Sequence, residues 1–175
     1  MKNCFQFENM NMLEHGQEVH KAYELLLKEG FDGIDNELWQ WLLDNQYDKE
    51  IMKNYHIYHD CGKPACRVLD DEGRQHFPNH AQHSYFLHQQ TFDLSKASEM
   101  IRLDMHFHQL KADDLSAWLK TLNDELMASL YLSALAEINA NSIMFGGTDS
   151  TSYKIKKKQL LKAARKIQSI VSIEA

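Results

Sequence analysis

Apolar residues in this chain recur mainly every three or four positions, which predicts helices rather than strands. Val19, Ala22, Tyr23, Leu26 and Leu27 make one stripe, so a first helix is expected from about 11 to 28. His15 lies four residues before Val19 and extends that inward stripe, while His20 points elsewhere. Asp35 can cap a second helix carrying Leu38, Trp39, Trp41, Leu42 and Leu43. A third begins near Asp48 and turns Ile51, Met52 and Tyr55 inward, with His59 on the same face. Gly62 and Pro64 are expected to stop this helix sharply. His59 and Asp60 would then occupy its electronegative carbonyl end, a setting that suits a cation.

Residues 65–79 read as an excursion, in which Asp70, Asp71, Glu72 and Gly73 are expected to turn a small hairpin at 66–77. A fourth helix, about 79–89, places His80, His83, Ser84 and Leu87 on one face. A fifth, about 95–109, contains Asp104, His106 and His108 and has no clear inward side. A short helix at 113–122 leads to the most apolar segment, 123–143, where Asn139 falls four residues after Leu135 and is expected to be buried. The last helix, about 153–172, sets Leu160, Ala164, Ile167 and Val171 against a Lys/Arg run. The fold class is therefore all-α, a bundle of six to seven helices. Residues 1–145 read as one domain, with the loop and basic helix of 146–175 packed on it.

Composition narrows the function. At 175 residues, 43% apolar and 25% charged, the chain is an ordinary globular length and mix, not a disordered or fibrous one. No apolar run is long enough to cross a bilayer, and the first residues lack a secretory signal. An odd number of cysteines (Cys4, Cys61, Cys66) points to free thiols in a reducing, cytoplasmic setting. Cys61 and Cys66 have no second pair to complete a zinc ribbon. The net charge is −6, yet the last 25 residues hold seven of the 19 Lys and Arg and one of the 25 Asp and Glu. That basic helix could contact RNA, while the acidic remainder would repel it. Ten histidines are the unusual number. His15, His59, His80 and His106 lie inward or at helix ends on separate helices, an arrangement from which helical domains build metal sites. Imidazole with carboxylate suits Mn, Fe, Co, Ni or Zn. His20, His56, His76 and His88 are expected to face solvent.

The segments LEHGQEV (13–19), YHDCGKP (58–64) and NHAQHS (79–84) resemble the HD-domain metal-dependent phosphohydrolases. The stretch 59–84 is most similar to the HD region of bacterial CCA-adding tRNA nucleotidyltransferases, in its HD-x-GKP, acidic-glycine turn and Phe-x-x-His segment. The likeness spans roughly 11–140, and the chain is too short to hold a nucleotidyltransferase domain. It implies an HD-like fold with His15, His59 and Asp60 as metal ligands. His80 and His106 match the extra histidines that hold a second ion in some members. The family's final Asp falls where this chain has Asn139, whose amide oxygen can ligate but brings no charge; Glu137 and Asp104 are the nearby substitutes. The implied cofactor is one or two divalent ions, Mg included. The implied activity is hydrolysis of a nucleotide phosphomonoester or 2′,3′-cyclic phosphodiester. Proximity to Asp60 in sequence makes Lys63 and Arg67 candidates for holding phosphate oxygens, and His83 for protonating the leaving oxygen. The alternatives are an HD module that binds a nucleotide or RNA end with little or no catalysis, and a structural helical protein whose histidines are incidental.

Overall fold

The computed structural model describes residues 1–7 and 10–171; the end of the expected 153–172 helix and of the 146–175 segment, from 172 onward, lies outside the described residues. Among the described residues the chain is all-α apart from two short antiparallel pairs. Among the described residues eight helices have eight residues or more, where six to seven were expected, and two further helices are single turns. No helix is long and apolar enough to cross a membrane among the described residues. The chain forms two compact units, each discontinuous in sequence.

The first unit comprises Met1–His20 and Lys49–Met105. It opens with β1 (Phe5–Phe7) and β2 (Met10–Asn11), which pair antiparallel, a feature absent from the hydropathy pattern. Helix α1 (Met12–Glu29) starts with a reciprocal cap. The Asn11 side chain accepts from the amides of Leu13 and Glu14, and Glu14 accepts from the Asn11 amide at 2.9 Å. Helix α3 (Lys49–Tyr58) ends near the expected place. Gly62 is not a left-handed stop: it is right-handed (φ −83°) and leads into the single turn α4 (Lys63–Cys66), where Pro64 sits in the first turn and needs no amide partner. The expected hairpin is present as β3 (Val68–Leu69) and β4 (Gln75–His76), turning through Gly73 at φ 76°. Helix α5 (His80–Thr91) buries Ser84 and His88 and leaves His83 and Leu87, expected on one face with Ser84, exposed. Helix α6 (Ser95–Leu103) stops at Asp104 instead of continuing to 109. Both α3 and α5 pack on α6, and α4 packs on α5.

The second unit comprises Lys21–Asp48 and His106–Ala175. Helix α2 (Asn36–Asn45) is capped by Asp35 as expected. After the turn α7 (His106–Gln109) come α8 (Ala112–Leu119), α9 (Asp124–Ala140) and α10 (Thr151–Ile170), the last two capped by Asn123 and Ser150. Helix α9 is buried at every position from Leu126 to Ala136, which is why its sequence is apolar all round. Helices α2, α7 and α10 pack on it, and α8 packs on α10. Its few polar groups are satisfied: Ser129 Oγ accepts the Tyr47 amide at 2.8 Å, and the Tyr131 hydroxyl donates to the Leu160 carbonyl at 2.9 Å.

Candidate metal centre

The first unit brings four of the expected residues around one carboxylate. Asp60 is 2% exposed and lies in the turn after α3. Its Oδ2 stands 3.4 Å from His59 Nε2 and 3.8 Å from His15 Nε2, and its Oδ1 stands 3.7 Å from His80 Nε2. The ligand atoms of His15 and His59 lie within 4.8 Å of each other. Lys63 Nζ donates to Asp60 Oδ2 at 2.6 Å, and Lys63 is itself buried.

Two of these imidazoles have their tautomer set by the backbone. His59 Nδ1 lies 2.8 Å from the His56 carbonyl oxygen, and His80 Nδ1 lies 3.1 Å from that of Phe77. A carbonyl can only accept, so each Nδ1 carries the proton and each Nε2 faces the Asp60 side. This is the outer hydrogen bond by which proteins orient histidine ligands. Burial pushes the Asp60 carboxyl up, but positive charge at His59 and Lys63, a hydrogen bond from His59 and charge at His15 outweigh it. The group is held well below the usual carboxylate range and is an anion.

Two glycines make the approach possible. A Cβ on Gly16 would stand 2.5 Å from the Ile57 carbonyl oxygen and 2.7 Å from that of His56, so only glycine lets α1 lie this close to α3 and carry His15 to His59. A Cβ on Gly62 would stand 2.2 Å from the Ser84 amide nitrogen. The Gly62 amide donates to Ser84 Oγ at 2.9 Å, which fastens the turn bearing Asp60 to the helix bearing His80. Hydropathy does not reveal these partners, although a glycine inside the helical LEHGQEV stripe is itself a signal of close approach.

Within the first unit the remaining candidates are placed differently. Arg67 is exposed and reaches Gln75 at 3.5 Å; His83 is exposed on α5, with its backbone against Gly62. Asp104, in the first unit, accepts the Tyr55 hydroxyl, and the Tyr55 ring lies 5.9 Å from that of His59. His106 and Asn139 belong to the second unit. There His106 stacks on Trp118 at 4.7 Å, and Asn139 is half-buried, its amide oxygen accepting the Tyr153 hydroxyl at 2.6 Å. Glu137 accepts from His108 at 3.0 Å.

Two histidines expected at the surface are fully buried. His56 on α3 meets His20 on α1, Nδ1 to Nδ1 at 3.2 Å. His88 lies between Ser98 Oγ, at 2.8 Å, and the side chain of Asn54. A buried imidazole with polar partners on both nitrogens costs little, and polarity alone cannot distinguish it from a wet one. Burial pushes the Cys61 thiol, which contacts the Ser84 carbonyl, up to about 11, while Cys66 contacts the Lys63 carbonyl.

No family model, curated protein or solved structure matches this chain. The donor set therefore stands on its own chemistry. Three imidazole nitrogens beside a buried carboxylate are borderline N/O donors that fit a divalent transition metal. Ligand atoms on a shared tetrahedral ion with bonds of about 2.1 Å lie roughly 3.4 Å apart, close to the separations between Asp60 Oδ2 and the two nearest imidazoles. His15 and His59 belong to a group of side chains that could hold a metal ion.

Proposed function

We propose that the first unit is a metal-dependent phosphohydrolase centre of the HD type, acting on a nucleotide phosphomonoester or 2′,3′-cyclic phosphodiester. The observation that carries this reading is the convergence of His15, His59 and His80 on the two oxygens of Asp60. Those four residues would hold one divalent ion, which supplies an acidified water and draws charge from phosphoryl oxygens. The protein's own groups do the positioning. His56 and Phe77 carbonyls fix the ligand imidazoles. Lys63 brings a buried positive charge that can bind a non-bridging phosphate oxygen, and Arg67 and His83 lie exposed on adjacent segments where a leaving group could meet them. A nucleotide substrate fits a cytoplasmic setting.

A second reading is a nucleotide- or RNA-end-binding module with weak or no catalysis. It is favoured by the 2.6 Å Lys63–Asp60 ion pair, an internal cation already on the central carboxylate, and by the bond that engages the Asn139 amide with Tyr153.

The deciding experiment is elemental analysis of tag-free protein together with a phosphoester panel in Mn, Ni or Mg. The phosphohydrolase reading expects stoichiometric metal and turnover of at least one nucleotide ester, both lost in Asp60→Ala with helicity retained. Metal with ligand binding but no turnover would favour the binding module. No metal and no thermal shift with Mn or Ni would overturn both readings.

A further inference from the structure

Helix α10 carries chemistry apart from the histidine cluster. Lys154, Lys158, Lys162 and Arg165 follow at steps of four, four and three residues, so they form one cationic stripe about three turns long. With Lys157 and Leu161 they line a shallow depression of about 210 Å³. Lys158, Lys162 and Arg165 are exposed and enter no ion pair among the described residues. Like charges one turn apart repel, so this face gains from any anion laid along it.

Beside the stripe lies an aromatic platform in the same unit. The loop at Gly33 (φ 94°) meets α10, and a Cβ there would stand 3.1 Å from Leu161 Cδ1. Phe31 in that loop presents its ring 5.4 Å from Lys157 Nζ. Phe31 and Trp39 line a second, open depression of about 510 Å³. Among the described residues, Lys157 pairs with Asp32, at 2.7 Å and almost wholly exposed, and Lys154 pairs with exposed Asp149 at 3.7 Å, partners that a phosphate could replace.

We infer that α10 and the 30–33 loop form a binding face for single-stranded nucleic acid, a function beyond the hydrolase reading and independent of it. A helix rises about 1.5 Å per residue, so successive cations stand roughly 6 Å apart along the axis, the order of spacing between phosphates on one strand. A basic groove flanked by aromatic rings serves backbone and stacked bases together.

The test is fluorescence anisotropy of labelled oligo(U) and oligo(dT), about 20 nucleotides long, titrated with the full chain. Four phosphate contacts predict that affinity falls roughly fifty-fold between about 50 and 200 mM salt. The triple variant Lys158→Glu, Lys162→Glu, Arg165→Glu, with unchanged circular dichroism and Tm, should lose at least ten-fold and most of the salt dependence. The gentler Lys158→Gln should shallow the salt slope, and Phe31→Ala should weaken binding several-fold without changing that slope. Preference for either oligonucleotide supports the proposal. No binding at the lower salt, unchanged binding by the triple variant, or equal affinity for poly-glutamate or phosphatidylserine vesicles would overturn it.

Discussion

The two units of this chain use their interiors differently. Among the described residues, the first unit buries nine polar or charged residues, seven of them titratable: His15, His56, His59, Asp60, Lys63, His88 and Asp104. The second buries Ser129, Ser133 and Asn141, none of which titrates, beneath a helix that is apolar from Leu126 to Ala136 apart from its serines. Burying charge costs several kcal/mol per ion unless it is paired, whereas a buried leucine contributes about 1.5–3 kcal/mol. Folding alone would favour the second pattern. The first unit keeps two carboxyl groups, a lysine and four imidazoles out of water, an expense in stability that chemistry at Asp60 would explain.

Substitutions can break this contrast. The largest effect is expected from Asp60→Ala, which strands buried Lys63 and should cost about 3–5 kcal/mol, read from urea unfolding. The double variant Asp60→Asn, Lys63→Met should recover most of that loss while remaining devoid of turnover, because only the ion pair is replaced by packing. Leu135→Ala in the second unit should cost about 2–5 kcal/mol through a cavity, with metal content per folded molecule unchanged. Gly16→Ala should cost about 1–3 kcal/mol, since α1 and α3 must part, and should weaken metal binding more than Leu135→Ala does; equal metal affinity would detach His15 from the site.

The smallest effect sharpens the comparison through pH. Burial lowers the His88 pKa below its ordinary value of about 6.5. The unfolded chain then binds this proton more readily than the folded one. Stability should fall as pH drops through about 6.5, and this contribution should level off below the folded pKa. His88→Gln, less stable at neutral pH, should show a shallower decline between pH 7 and 5 in thermal unfolding. An unchanged slope would assign the sensitivity to the other histidines.

Much of the helical order could be read from local chemistry. Asp35 caps where its side chain predicts, and the acidic turn at 70–73 makes its hairpin because Asp70 and Gly73 suit that geometry. The stretch 95–109 was ambiguous for a physical reason: Ala97, Met100, Ile101, Leu103 and Phe107 are all buried, so no single stripe existed to be found. The metal candidates divided along a similar line. His15, His59 and Asp60 lay on patterned faces or at a helix end and met in space. His83 shared a nominal face with Ser84, yet α5 buries the side defined by Ser84 and His88 and leaves His83 exposed.

Sequence alone determined what depends on neighbours within a turn or two: most helix positions, the Asp35 cap, the hairpin, the apolar character of α9 and the polarity of α10. Tertiary structure decided what depends on residues distant along the chain. It selected His56 and His88 for burial, matched Lys63 to Asp60, used Gly16 and Gly62 for backbone contact, and aimed three imidazoles at one carboxylate. The reason is that burial and ion pairing are properties of a place, and a side chain's place is set by the helix packed against it.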